Sequence, residues 1–223
     1  MSAGTTSPPD DDASKKNVPS KLQESLFELL ANVPTTSEPA ADNPKARAQA
    51  IRSRASFIAA AISGGLALPL GPLGLLTILP DLAAVWRIQA RMVADIAGAY
   101  GKQAQLTREA MIWCLFRYAV GQLLRDIVVR VGERVLVRRA SLRAMQSIIQ
   151  KIGIRVTQKL VGRTISRWLP LIGAAGMAGY AYYDTSSVGN AAIELFGSKL
   201  EVDNNSPAQD PVTSSQSAEG GPS

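Results

Sequence analysis

FIAAAISGGLALPLGPLGLLTIL, residues 57–79, runs for 23 residues without a charge, and its reading decides the fold. Length alone would nominate a membrane-spanning helix. The interior argues otherwise, because Gly64, Gly65, Pro69, Gly71, Pro72 and Gly74 crowd the middle. An interior proline costs a helix about 3 kcal/mol or more by removing a donor and clashing with the preceding turn. The expectation is two helical arms joined by a Gly/Pro bend. Arms of about 8–12 residues rise about 12–18 Å, short of the roughly 30 Å hydrocarbon core of a bilayer. Lys45, Arg47, Arg52 and Arg54 precede the stretch and Arg87 and Arg91 follow it. By the positive-inside rule both flanks lie on the cytoplasmic side, as in a hairpin that dips in and returns. Burial of the hairpin inside a helical core is the competing reading.

A second uncharged stretch, LPLIGAAGMAGYAYY at residues 169–183, has 15 residues and as a helix would measure about 22 Å, again too short to span. Pro170 stands near its start, where proline is tolerated. Gly173, Gly176 and Gly179 recur every third residue among alanines, a small-residue surface on which another backbone can pack closely. It is read as a second bent apolar hairpin.

Between the two stretches the period is helical. Leu82, Val85, Trp86, Gln89, Met92, Val93, Ile96 and Tyr100 share one face, Arg87, Arg91 and Asp95 step along another, and Gly101 is a natural C-terminal stop. Thr107 is placed to cap the next helix, with Met111, Cys114, Leu115 and Tyr118 facing inward. The pattern continues through Leu124, Ile127, Val131 and Val135. At VVRVGERVLV, residues 128–137, a β-hairpin competes, because a Gly-Glu turn between valine-rich arms would also fit; helix is the favoured reading.

Charge is unevenly distributed. Residues 1–44 carry 3 basic and 7 acidic side chains, residues 45–200 carry 21 and 7, and residues 201–223 carry 0 and 4, giving −4, +14 and −4. A basic core between two acidic segments implies affinity for something polyanionic, with the acidic segments either shielding it or aiding solubility, the simpler account. Within residues 117–167, 12 basic residues face only Asp126 and Glu133. Arg130, Arg134 and Arg138, then Lys151, Arg155, Lys159, Arg163 and Arg167, recur at four-residue steps. Four-residue steps drift by only about 40° around a helix, so the second series defines a basic amphipathic face. Anionic lipid headgroups, an acidic protein surface or nucleic-acid phosphates would suit it. Nucleic acid is the alternative, since no helix-turn-helix spacing, zinc ligands or aromatic platform accompanies the run.

The chain ends are Ser/Pro-rich and acidic, a composition that cannot bury enough apolar surface to offset ordering entropy. Residues 1–44 are read as a tail and residues 201–223 as a disordered terminus. One exception is a short amphipathic helix over residues 20–31, with Leu22, Leu26, Leu29 and Leu30 at helical spacing behind Ser20, read as docking on its own domain. The start lacks a basic n-region and an apolar h-region, so the protein is expected to begin in, and face, the cytoplasm.

The 223 residues contain no histidine and one cysteine, with a pI near 9.7 and a mean hydropathy of +0.06. The missing imidazole excludes Ser-His-Asp and Cys-His pairs and histidine-containing zinc sites, and one Cys114 closes no intramolecular disulfide. No phosphate loop or dinucleotide fingerprint occurs. Asp81, after Pro80, is accounted for as the opening cap of the following helix. The expectation is therefore a protein without enzymatic activity, cofactor or metal.

These residues resemble the EcsC protein family. Pro80-Asp81, Gln89 and the Tyr100-Gly101 helix end look like its first half. PLIGAAG from Pro170 to Gly176, Tyr182-Tyr183, and TSSVGNAAIELF from Thr185 to Phe196 look like its C-terminal half. The resemblance covers roughly residues 45–197. It implies an all-helical bacterial protein, sometimes associated with transport genes and membranes, and supplies no catalytic residues.

The combined expectation is an all-α domain over residues 45–200 with two apolar hairpins between acidic tails. It would bind anionic lipids or a membrane protein at the cytoplasmic face through the basic residues and the hairpins.

Overall fold

Asparagine and proline set the first long helix. Asn43 Oδ1 accepts the backbone N–H of Ala46 at 3.1 Å, and Pro44 fills the first helical position, where no donor is needed. The computed structural model describes residues 23–66, 74–122, 124–125, 127–131, 134–161 and 169–208. Helix α1 covers residues 23–31, α2 Pro44–Leu66, α3 Gly74–Ala99, α4 Arg108–Val120, α5 Leu142–Val161 and α6 Leu169–Gly197. Strands β1 (Val128–Val131), β2 (Arg134–Ala140) and β3 (Lys199–Ala208) form one small sheet in the order β1-β2-β3. The fold is thus mostly helical, as expected.

Local chemistry explains the helix ends. After α3 the chain turns at Gly101, with φ +66°, the N–H of Gly101 donating to the Gly98 carbonyl and that of Lys102 to Ala97, both at 2.8 Å. This is the paired bonding of a left-handed glycine stop. Thr107 accepts the N–H of Ala110 at 3.3 Å, capping α4 as its spacing predicts. Ser141 does the same for Ala144 at the head of α5, at 3.1 Å. Lys102 Nζ donates to the carbonyls of Phe196 and Ser198 at 2.8 and 2.6 Å, closing the C-terminal end of α6 with a cation.

Helices α2, α3 and α6 pack side by side through small residues. Ala48, Ala59, Ala90, Ala97, Ala181 and Ala192 are buried there. At Gly189 a side chain would collide with that of Arg52, and at Gly98 a Cβ would stand 2.6 Å from the Glu38 carbonyl oxygen. The main core lies toward the other end of this bundle. Met92, Val93 and Ile96 of α3, Met111 and Ile112 of α4, Ile148, Ile149 and Ile152 of α5, and Leu195 and Phe196 of α6 meet there. Leu26 and Leu30 of α1 join it, so the short helix does dock on its own domain.

The structure corrects five expectations. The α4 pattern stops at Val120, and residues 128–137 form a hairpin in which Val128 pairs with Val137 and Val131 with Arg134. β-Branched side chains favour the pleat, and a period of two buries Val135 and Val137 while leaving Arg134 exposed. Residues 201–208, expected to lack structure, belong to β3, which runs parallel to β2. Leu200 opposite Val135 and Val202 opposite Val137 continue the alternation on which that pairing depends. Residues 169–183 are not a bent hairpin but the first half of α6, which continues unbroken through Gly173, Gly176 and Gly179. Asp81 does not open its helix, because α3 already begins at Gly74. Tyr118 is 63% exposed instead of inward. The expected bend at Pro69, Gly71 and Pro72 lies outside the described residues, between the end of α2 and the start of α3.

Candidate functional site

Two regions stand out on the surface. The first is the end of the bundle where α2 finishes and α3 and α6 begin. Phe57 and Ile58 on α2 and Met177, Tyr180, Tyr182 and Tyr183 on α6 are all exposed, Phe57 by 63% and Tyr183 by 73%. Phe57 and Tyr182 meet edge to face with ring centroids 5.2 Å apart. Level with them Ala59, Val85 and Ala181 form a small buried cluster that ties the three helices. Beyond that level, at about 1.5 Å per residue, α2 reaches about 10 Å to Leu66, α3 about 16 Å to Gly74 and α6 about 18 Å to Leu169. Asp81 is the one charged residue in those three segments.

Toward the body from this apolar end lies a groove of about 570 Å³ between α2 and α3. Arg54, Arg87 and Arg91 line it beside Ile58, with Glu38 and Asp95 deeper along it. Two charge pairs are already made. Arg47 holds Glu38 through two bonds of 2.7 and 3.0 Å, keeping that carboxyl below the ordinary glutamate value, and Arg91 stands 3.4 Å from Asp95. Arg54 and Arg87 make no ion pair among the described residues.

The second region gathers arginines and rings near the hairpin. Arg117 on α4 lies 4.6 Å from the centroid of Trp113 and 5.5 Å from that of Tyr118. It also bonds Glu194 on α6, which accepts in addition from Arg130 at 2.5 Å. These bonds, Arg117 first, hold the Glu194 carboxyl below its ordinary value. Trp113, Arg117, Tyr118, Gln122, Arg125 and Arg155 line an open, polar pocket of about 710 Å³ beside it.

The expected basic face is therefore divided. Arg155 lines this pocket, and Arg130 pairs with Glu194. Arg134 pairs with Glu201 of β3 at 3.0 Å. Arg138 is half-buried on β2, its Nε without a hydrogen bond, and Lys151 is half-buried on α5. Lys159 lies on α5 with its side chain outside the description, and Arg163 and Arg167 lie outside the described residues. Of the hairpin glycines, Gly176 and Gly179 are open on the α6 surface, where an added Cβ would meet nothing within 4 Å. Gly64 is half-exposed near the end of α2; Gly65 is in that helix, and Gly74, Pro170 and Gly173 stand in the first turns of α3 and α6.

The remaining polar groups serve the architecture. Buried Gln89 on α3 donates from Nε2 to Asp184 Oδ2 at 2.8 Å and to Thr185 Oγ1 at 3.2 Å on α6, so one polar cluster ties the two helices. Glu109, buried, accepts the N–H of Ala140 at 3.2 Å and ties α4 to the end of β2. Cys114 is fully buried, and burial pushes its thiol far up, away from thiolate chemistry.

Arg117, Arg125, Trp113, Tyr118 and Glu194 do not stand out as site residues from sequence. The signal is the i, i+4 spacing of Trp113 and Arg117, visible once α4 is placed. No family model, curated protein or solved structure matches this chain.

Proposed function

We propose that this protein is a non-enzymatic, membrane-associated helical protein that seats the apolar end of α2, α3 and α6 shallowly in the cytoplasmic face of a membrane. The observation that carries this reading is the exposed cluster of Phe57, Ile58, Met177, Tyr180, Tyr182 and Tyr183 at that end. Tyrosine suits the boundary layer, with an apolar ring and a wet hydroxyl. A reach of about 10–18 Å beyond the Ala59 level is comparable to one leaflet of the roughly 30 Å core, not to the whole of it. Among the described residues no helix is long and apolar enough to cross a membrane. Arg54 and Arg87 supply positive charge just above the apolar end, where anionic headgroups would lie. The reading includes kinship with the EcsC family and an accessory role beside a membrane transport system.

Fractionation of a bacterial host expressing the full chain tests this. The protein is expected in the membrane fraction, resisting high salt and released in part by alkaline carbonate. Full recovery from the cytosol would overturn it. That outcome would favour a soluble binder of nucleic acid or of an acidic protein, for which the arginines around Trp113 and Tyr118 are the supporting feature.

A further inference from the structure

The groove between α2 and α3 has its charges divided along its length. Away from the apolar end, Arg47 holds Glu38, and Asp95 stands 3.4 Å from Arg91 and accepts the hydroxyl of Thr36 at 2.6 Å. Toward the apolar end, Arg54 and Arg87 are exposed and make neither an ion pair nor a hydrogen bond among the described residues. The first set of charges ties the groove together; the second is left for a ligand.

Their height along the bundle is informative. From the level at which Ala59, Val85 and Ala181 meet, Arg87 stands about 3 Å and Arg54 about 8 Å toward the body, and Asp95 about 15 Å. The headgroup layer of a bilayer is about 5–8 Å thick on each side of the hydrocarbon core. With the apolar end seated to that level, Arg54 and Arg87 fall at the headgroups and Asp95 lies beyond them. Ile51, Ala55, Ile88 and Met92 give the groove an apolar floor, which lowers the local dielectric and strengthens charge-assisted bonds made above it. Ile58, 42% exposed, belongs both to the groove and to the apolar cluster, so an acyl chain can pass from one to the other without leaving apolar surface. A volume of about 570 Å³ lies within the range of small-ligand sites.

We propose that this groove is a binding site for one anionic phospholipid of the membrane. Arg54 and Arg87 hold the phosphate oxygens, for which guanidinium groups present matching paired donors, and an acyl chain runs from the groove over Ile58 toward Phe57. The placement of the lipid rests on the membrane seating proposed above. The inference adds to it a saturable site with a defined headgroup position.

The test is calorimetric titration of the full-length protein with dihexanoyl phosphatidic acid kept monomeric in solution, beside chainless glycerol phosphate. Arg54→Gln/Arg87→Gln is compared with Arg139→Gln/Arg143→Gln, which removes the same charge at two exposed positions elsewhere. The expected result is saturable binding of the short-chain lipid, weakened about tenfold or more in the groove variant and unchanged in the other, with glycerol phosphate binding at least about tenfold more weakly. Equal weakening in both variants, equal affinity for glycerol phosphate, or no saturable binding overturns the site. If the groove variant does not fold, Arg87→Gln alone carries the same comparison. Sedimentation of the parent protein with phosphatidylcholine vesicles containing phosphatidylglycerol separates the two readings. Attachment to these vesicles without saturable binding of the short-chain lipid overturns the site and leaves the seating in place; saturable, variant-sensitive binding by a protein that stays off the vesicles supports the site and overturns the seating.

Discussion

The two ends of the α2, α3 and α6 bundle are made from the same residue types and used in opposite ways. At one end Phe196, Leu195, Ile96 and Met92 are buried against α4, α5 and the sheet, and Lys102 closes the last turn of α6. At the other end Phe57, Tyr180 and Tyr183 stand exposed, although the helices beneath them pack tightly through Ala59, Val85 and Ala181. An aromatic ring contributes to folding only where neighbours remove it from water. The apolar end is thus a surface held by the fold, not a part of what holds the fold together.

Mutations can break that contrast. Phe196→Ala, at 0% exposure, is expected to cost about 3–5 kcal/mol in urea unfolding. The Phe57→Ser/Tyr183→Ser variant should change stability by less than about 1 kcal/mol while losing membrane attachment. A comparable stability loss at both ends would erase the distinction. Gln89→Ala leaves Asp184 and Thr185 without the donor from α3 and is expected to cost about 1–3 kcal/mol, read in the same assay.

The smallest effect belongs to the salt-bridged Glu194. Its carboxyl is held below the ordinary 4.5 by Arg117 and then Arg130. The corresponding stability is fully present above pH 4.5 and is lost as pH falls below it through the folded value. Glu194→Gln should therefore flatten the acid limb of the stability curve below pH 4.5 and lower neutral stability by the same amount, a small one because the group is partly exposed, measured by melting temperature against pH. An acid limb identical to that of the parent protein would mean that the pair contributes nothing.

What is legible in the sequence follows the same division. Helix stops and caps depend on one or two residues, so Gly101 and Thr107 are readable directly. The inward face of α3 is readable because packing and period agree there: Val85, Trp86, Gln89, Met92, Val93 and Ile96 are all buried. The sheet is harder. Valines at residues 128–137 satisfy a helical and a strand period alike, and only the partner strand settles the choice. Acidic, Asn/Ser/Pro-rich composition hides β3, yet Glu201 finds Arg134, so its charge suits the basic strand beside it. A helical period runs through the basic stripe, but its residues belong partly to β2, and tertiary contacts distribute them among separate partners. The spacing of Tyr118 fits the α4 core face, but that helix ends two residues later and the ring faces the pocket.

The most direct test of shallow membrane seating uses introduced cysteines, since the native Cys114 is buried and shielded from labelling. An environment-sensitive fluorophore is placed at Ala61→Cys, exposed on the apolar end of α2, and separately at Gln150→Cys, exposed on α5. Adding anionic vesicles should shift the emission at position 61 to the blue and leave that at position 150 unchanged. No shift at position 61, or equal shifts at both, would contradict the account.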